Sequence, residues 1–186
     1  MLPVFVDRGQ KRECEPMTSA RIEKVKLGRT NLFVSNICFG TTSLADMPDT
    51  YGYRVDEDRA KETVPAIFNG PVNFSTVRES TVLAAASSEL GTSSASRGVS
   101  EGFVISTKLD RDPETSRFDA GRARRLLEQS LKVLGLDRIH LLHVHDPEHA
   151  TSLDEVTGPS GAISELFKIK EEAFAEAVGL AAGNVA

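Results

Sequence analysis

Lys108 and His145 are the residues best placed to do chemistry. Lys108 ends the apolar run "FVISTK", where a cation is costly to bury and its pKa would fall if water were stripped from it. His145 ends a second run, "IHLLHVH", and is followed by Asp146 and Pro147. Gly40, Thr41 and Thr42 follow a third strand-like stretch that closes on "CFG". In α/β proteins the polar groups just past strand C-termini are the ones that meet substrate. Each also has a plain structural alternative: Lys108 can snorkel to a rim, and His145 can be a histidine satisfied at a strand end. His143 and His145 share one strand face, a geometry open to two metal ligands, but no carboxylate or third ligand is evident beside them, so no metal is expected. Asp110 to Thr115, "DRDPET", reads as a solvated loop with a proline turn rather than a metal loop. "RARR", Arg122 to Arg125, reads as the wet face of a helix rather than a phosphate clamp.

Several elements must position these groups. "IEKVKLGRTNLFVSNICFG" alternates apolar and polar residues on both sides of "GRTN", which predicts a hairpin running into a strand that ends at Phe39 and Gly40. "DEDRAKETVPAIFNG" predicts an amphipathic helix stopped at Asn69-Gly70, with Pro65 a blemish inside it. "PVNF" predicts a short buried strand, and "GFVISTKLD" a strand covered on both faces. "DAGRARRLLEQSLKVLGLD" predicts a helix capped by Asp119 and ended by Gly135, with Ala123, Leu126, Leu127, Leu131 and Leu134 on one face. "RIHLLHVHDP" is a further buried strand. "SGAISELFKIKEEAFAE" predicts a helix with Ile163, Leu166, Phe167, Lys170 and Phe174 along it, and "AVGLAAG" a final strand.

Strand and helix alternating at this cadence mean parallel βαβ units with right-handed crossovers, which put the helices outside and the strand ends at one rim. The expected fold is therefore α/β, a partial (β/α)8 barrel of about five βα units preceded by an N-terminal β-hairpin. A closed barrel of this type has eight strands and about 250 residues, so a truncated chain is expected. At 186 residues the chain has the size of one domain, with residues 1–16 read as a disordered or non-native extension before Met17 and residues 17–186 as the barrel domain. A net charge of −5 without a dense Lys/Arg block argues against nucleic acid or an anionic membrane surface as partner. No apolar run is long enough to span a bilayer, and the apolar patch at the N-terminus is too short for a signal-peptide core. Cys14 and Cys38 are far apart and could form one disulfide, but they form no disulfide framework or zinc motif, and a reduced cytoplasmic protein is expected.

Five separated segments, "KLGRTNLFVSNICFGT", "FNGPVNF", "VISTKLDRDPET", "LEQSLKVLGLDRIHLLHVHDP" and "FAEAVGLAAGN", together resemble the aldo-keto reductases, closest to the branch that oxidises free aldoses such as fucose. The resemblance covers roughly residues 22–186 in order and spacing. It implies an eight-stranded barrel that binds NAD(P)(H) without a Rossmann fold and moves hydride between nicotinamide and a small carbonyl compound or sugar hydroxyl. In that family a tyrosine serves as acid/base, its pKa lowered by a lysine paired with an aspartate, while a histidine orients the substrate oxygen. Lys108 matches the family lysine and His145 the family histidine. Gly40, Thr41 and Thr42 match the turn that borders nicotinamide and substrate.

The family's aspartate and tyrosine have no match. There is no Asp from Val72 to Leu109 and no Tyr after Tyr53. Where the pattern Asp-Thr or Asp-Ser, then Tyr-Gly, should stand, the chain reads "STVRESTVLAAASSELG", rich in Ser and Ala with little helical stripe. One permitted choice of codons from Ser75, read one frame over, gives Asp-Ser-Pro-Arg-Ile-Tyr-Gly and then Ser-Glu, restoring the pattern. The expectation is a nucleotide lost near Phe74, with the frame restored near Gly98 or Val99; a genuinely divergent loop is the alternative. Without the two residues and the late strands, little or no turnover is expected. The alternative is a non-catalytic pseudoenzyme fragment that self-associates through an exposed strand edge.

Overall fold

The computed structural model describes residues 22–77 and 101–183. The expected extension, residues 1–16, and all but the first residues of the anomalous segment lie outside them. β1 (Lys24–Lys26) and β2 (Phe33–Ser35) form the expected antiparallel hairpin, in register from Lys24↔Ser35 to Lys26↔Phe33. Its turn places Gly28 at φ +53°, where a side chain would be strained. The main-chain N–H and side-chain hydroxyl of Thr30 both donate to the Leu27 carbonyl.

Five parallel strands follow, in spatial order equal to chain order: β3 (Phe39–Gly40), β4 (Phe74–Thr76), β5 (Val104–Leu109), β6 (Ile139–His145) and β7 (Ala175–Ala181). They are the wall of a partial (β/α)8 barrel. The helices are α1 (Pro48–Tyr51), α2 (Glu57–Phe68), α3 (Ala120–Leu134), α4 (Leu153–Thr157) and α5 (Ala162–Glu171). Asp56 caps α2 by accepting from the Arg59 N–H, and Pro65 does sit inside that helix. Asp119 caps α3 in the same way through the Arg122 N–H, and Gly135 ends it in the left-handed conformation.

The core lies between the outer face of the sheet and the helices. There Ile105, Leu109, Leu142 and Val144 meet Leu127, Leu134, Leu166 and Ile169, all essentially free of solvent. Burying each such side chain contributes about 1.5–3 kcal/mol. On the inner face, Leu32 and Val34 of the hairpin region pack against Phe74, Val104, Leu141 and Ala177 near the starts of their strands. The hairpin therefore closes the end of the wall opposite the strand C-termini.

Four expectations need correction. The "PVNF" strand begins only at Phe74, because Pro71 has no N–H to give and the Asn73 side chain takes over the bonding. Its Oδ1 accepts from Ser35 N, and its Nδ2 donates to the carbonyls of Phe33 and Gly102, tying the hairpin to the barrel. β2 and β3 are separate strands rather than one continuous run. The final strand starts at Ala175, two residues earlier than its pattern suggests. In α5 the buried face is Ala162, Glu165, Leu166 and Ile169, while Phe167 and Lys170 are exposed and Phe174 lies beyond the helix. Glu165 tolerates burial because the Arg124 Nε donates to it at 2.6 Å.

Candidate active site

Along β5, Val104, Ser106 and Lys108 alternate onto the inner face; along β6, Leu141, His143 and His145 do the same. The parallel register sets Lys108 beside His143, so His145 stands two residues nearer the rim. Two residues of strand are about 6.6 Å, a gap that only a long side chain crosses. Lys108 crosses it, and its Nζ lies 3.4 Å from Nε2 of His145. The two residues singled out by sequence are thus brought together at the C-terminal ends of adjacent strands.

Beneath them His143 is half-buried, with Nδ1 3.2 Å from Oγ of the buried Ser106. Burial, and then the Lys108 charge, push its pKa below the usual histidine value, so a neutral ring floors the site. Gly179 on β7 makes room for that ring, since a Cβ there would stand 3.0 Å from its Cδ2. Within the described residues, no three His, Cys, Asp or Glu side chains are grouped to hold a metal ion.

Gly40, Thr41 and Thr42 come to the same rim from β3 but do not adjoin the lysine–histidine pair. Gly40 is in register with Thr76, and Thr76 with Ser106, which places the turn two strands away from Lys108. Thr41 is buried and its N–H donates to the Thr76 carbonyl. A Cβ on Gly40 would meet nothing closer than 3.8 Å, so the protein itself does not require a glycine there.

Asp110 is the residue that sequence patterning passed over. Its loop is not merely solvated: Oδ1 of Asp110 lies 2.6 Å from Nδ1 of His145, across 35 positions of chain. The rest of the loop is an Asx turn, with Oδ1 of Asp112 accepting from the N–H groups of Glu114 and Thr115. The expected wet face of "RARR" is only partly wet. Arg122 donates to the carbonyls of Asp110 and Arg111, anchoring the loop, and Arg124 reaches Glu165 and Glu172. Asp146, at φ +43°, carries a carboxylate 3.4 Å from Nε2 of His145.

Comparison with known proteins bears on the family and the fold. The chain is 32% identical over 161 residues to L-galactose dehydrogenase of Arabidopsis thaliana, covering 86% of this chain and 48% of that protein. It superimposes with a TM-score of 0.61 on an aldo-keto reductase from Bacillus halodurans in its holo form, at 17% identity, covering 87% of this chain and 51% of that one. An aldo/keto reductase from Brucella melitensis gives a TM-score of 0.61 at 17% identity, over 88% of this chain and 55% of that one. The two structures speak for the fold alone, and the chain spans about half the length of the relatives it matches. Residues 36–181 match the model of the aldo/keto reductase family, and the chain belongs to that family of oxidoreductases.

Proposed function

We propose that the chain is built as an aldo-keto reductase-type oxidoreductase, for hydride transfer between NAD(P) and an aldose or other small carbonyl compound, and that in this form it turns over little or nothing. The observation that carries the proposal is the meeting of Lys108 and His145, Nζ to Nε2 at 3.4 Å, where two adjacent parallel strands end. The likeness to an L-galactose dehydrogenase supports an aldose as the substrate class. Gly40, Thr41 and Thr42 would border the nicotinamide, which supplies or accepts the hydride. His145 orients the substrate oxygen, and the Lys108 ammonium stabilises negative charge on that oxygen. Proton transfer is the weak step. A tyrosine acid needs a neighbouring cation to work near neutrality, and Lys108 is that cation, yet no Tyr follows Tyr53 in the sequence. A reduced, cytoplasmic setting belongs to the same proposal.

The purified chain, assayed by nicotinamide absorbance with a panel of aldoses in both directions, is expected to show no change above a buffer blank. Clear turnover would overturn the expected inactivity. Sequencing the coding DNA tests its cause: codons from Ser75 to Arg97 that give no Asp and Tyr at the family spacing when read one frame over end the frameshift explanation.

A second, non-catalytic reading is favoured by β7. Among the described residues this strand pairs with β6 alone, and Leu180 on it is 56% exposed. A second copy of the chain could associate along that edge. Sizing chromatography with light scattering decides: a stable oligomer without cofactor affinity supports this reading, and a monomer that binds NAD(P) rejects it.

A further inference from the structure

His145 is approached at both ring nitrogens, and the distances differ. Nδ1 is 2.6 Å from Oδ1 of Asp110, whereas Nε2 is 3.4 Å from Nζ of Lys108 and 3.4 Å from Oδ1 of Asp146. Only the first contact is in the short range of a charge-assisted hydrogen bond. A carboxylate has no proton to give, so the proton in that contact belongs to Nδ1. A neutral imidazole has one N–H, which leaves a lone pair on Nε2, and the lysine ammonium facing it can only donate. The Asp110 backbone is itself held, by Leu109 in the core on one side and by the Arg122 guanidinium on its carbonyl at 3.3 Å.

We propose that Asp110 is a positioning residue that sets His145 to accept, rather than donate, a hydrogen bond at Nε2, so that the site takes its substrate through a hydroxyl group in preference to a carbonyl. The inference rests on the oxidoreductase site proposed above and names the form of substrate that this site recognises. A hydroxyl can donate to Nε2 while its oxygen accepts from Lys108. A carbonyl oxygen can accept from Lys108 but meets the Nε2 lone pair with a lone pair of its own. Truncating Asp110 frees Nδ1 and lets the ring take the opposite tautomer.

The test is two-bond 1H–15N spectroscopy of the full chain labelled in its histidine rings, at a pH where the ring is neutral. The wild type is expected to show His145 protonated at Nδ1. Asp110→Ala should move the majority of the proton to Nε2, while Asp110→Asn, which keeps an acceptor oxygen, should leave it on Nδ1. A role confined to stability would alter melting without changing the tautomer. Titration with propan-2-ol should perturb the His145 ring signals at lower concentration than titration with acetone. A wild-type ring protonated at Nε2, or doubly protonated at every pH, overturns the proposal. So does a tautomer unchanged by Asp110→Ala, or an alcohol that acts no sooner than the ketone. None of these readouts needs cofactor or turnover, so their failure is distinguishable from failure of the hydride-transfer assignment.

Discussion

The two sides of the barrel wall are built to different standards. β5, β6 and β7 run for six, seven and seven residues, whereas β3 and β4 run for two and three. The long strands are backed by α3 and α5, and α3 has a carboxylate cap at one end and a glycine at the other. The short strands are accompanied by α2, which carries a proline in its interior. Lys108, Asp110 and His145 all belong to the long-strand side. A network that depends on a 2.6 Å contact needs rigid, registered strands to hold it, and that side supplies them. The short-strand side leads into the segment that lacks the family's aspartate and tyrosine.

Three sets of substitutions or conditions sharpen the contrast. The largest effect is expected at Leu142, fully buried on β6. Leu142→Ala should cost about 3 kcal/mol in urea unfolding, against about 1–2 kcal/mol for Val55→Ala, at 5% exposure just before α2. Because Val→Ala removes one carbon fewer than Leu→Ala, equal losses would mean that the short-strand side is packed at least as well as the long-strand side. Next come the caps. Asp119→Ala on α3 and Asp56→Ala on α2 each remove one short bond to an N–H and should each cost about 1 kcal/mol. Hydrogen exchange should then show opening confined to the helix that lost its cap.

The third effect is set by pH and vanishes near neutrality. Burial lowers the pKa of His140 and of His143 from the ordinary value of 6.5. Glu176 partly offsets the effect at His140, and the Thr107 main chain does so at His143. Below 6.5 the unfolded chain takes up protons that the folded chain resists, so stability is complete above that value and is lost as pH falls toward the folded pKa values. At His140 protonation also removes the acceptor, Nδ1, that receives the Ile105 N–H at 3.2 Å on the long-strand side. The midpoint of thermal unfolding should drop between about pH 7 and about pH 5, and His140→Gln with His143→Gln should flatten the drop. An unchanged slope in the double variant would place the pH sensitivity elsewhere.

What the sequence reveals and what it hides follow the range of the interactions. Asp119 and Gly135 are legible because a cap is a local event, decided within four residues. The strand ends at Lys108 and His145 are legible because apolar runs stop there. The buried face of α5 is not, since its apolar residues surround the helix and only the Arg124–Glu165 pair, 41 positions apart, shows which face turns inward. Phe167, at 55% exposure, looks like core and is not. The start of β4 is masked by Asn73, whose side chain does the work of a strand backbone. Asp110 is invisible as a partner of His145 because the contact exists only once β5 and β6 are in register, and no local pattern encodes that register.

The joint placement of Lys108 and His145 can be measured without substrate. With Nζ and Nε2 3.4 Å apart, nuclear Overhauser spectra of the folded chain should show cross-peaks between the Lys108 ε-methylene and the His145 ring protons, alongside those that report the β5–β6 pairing. Spectra that contain the strand-pairing peaks but place the Lys108 ε-methylene against other side chains would contradict the account at its centre.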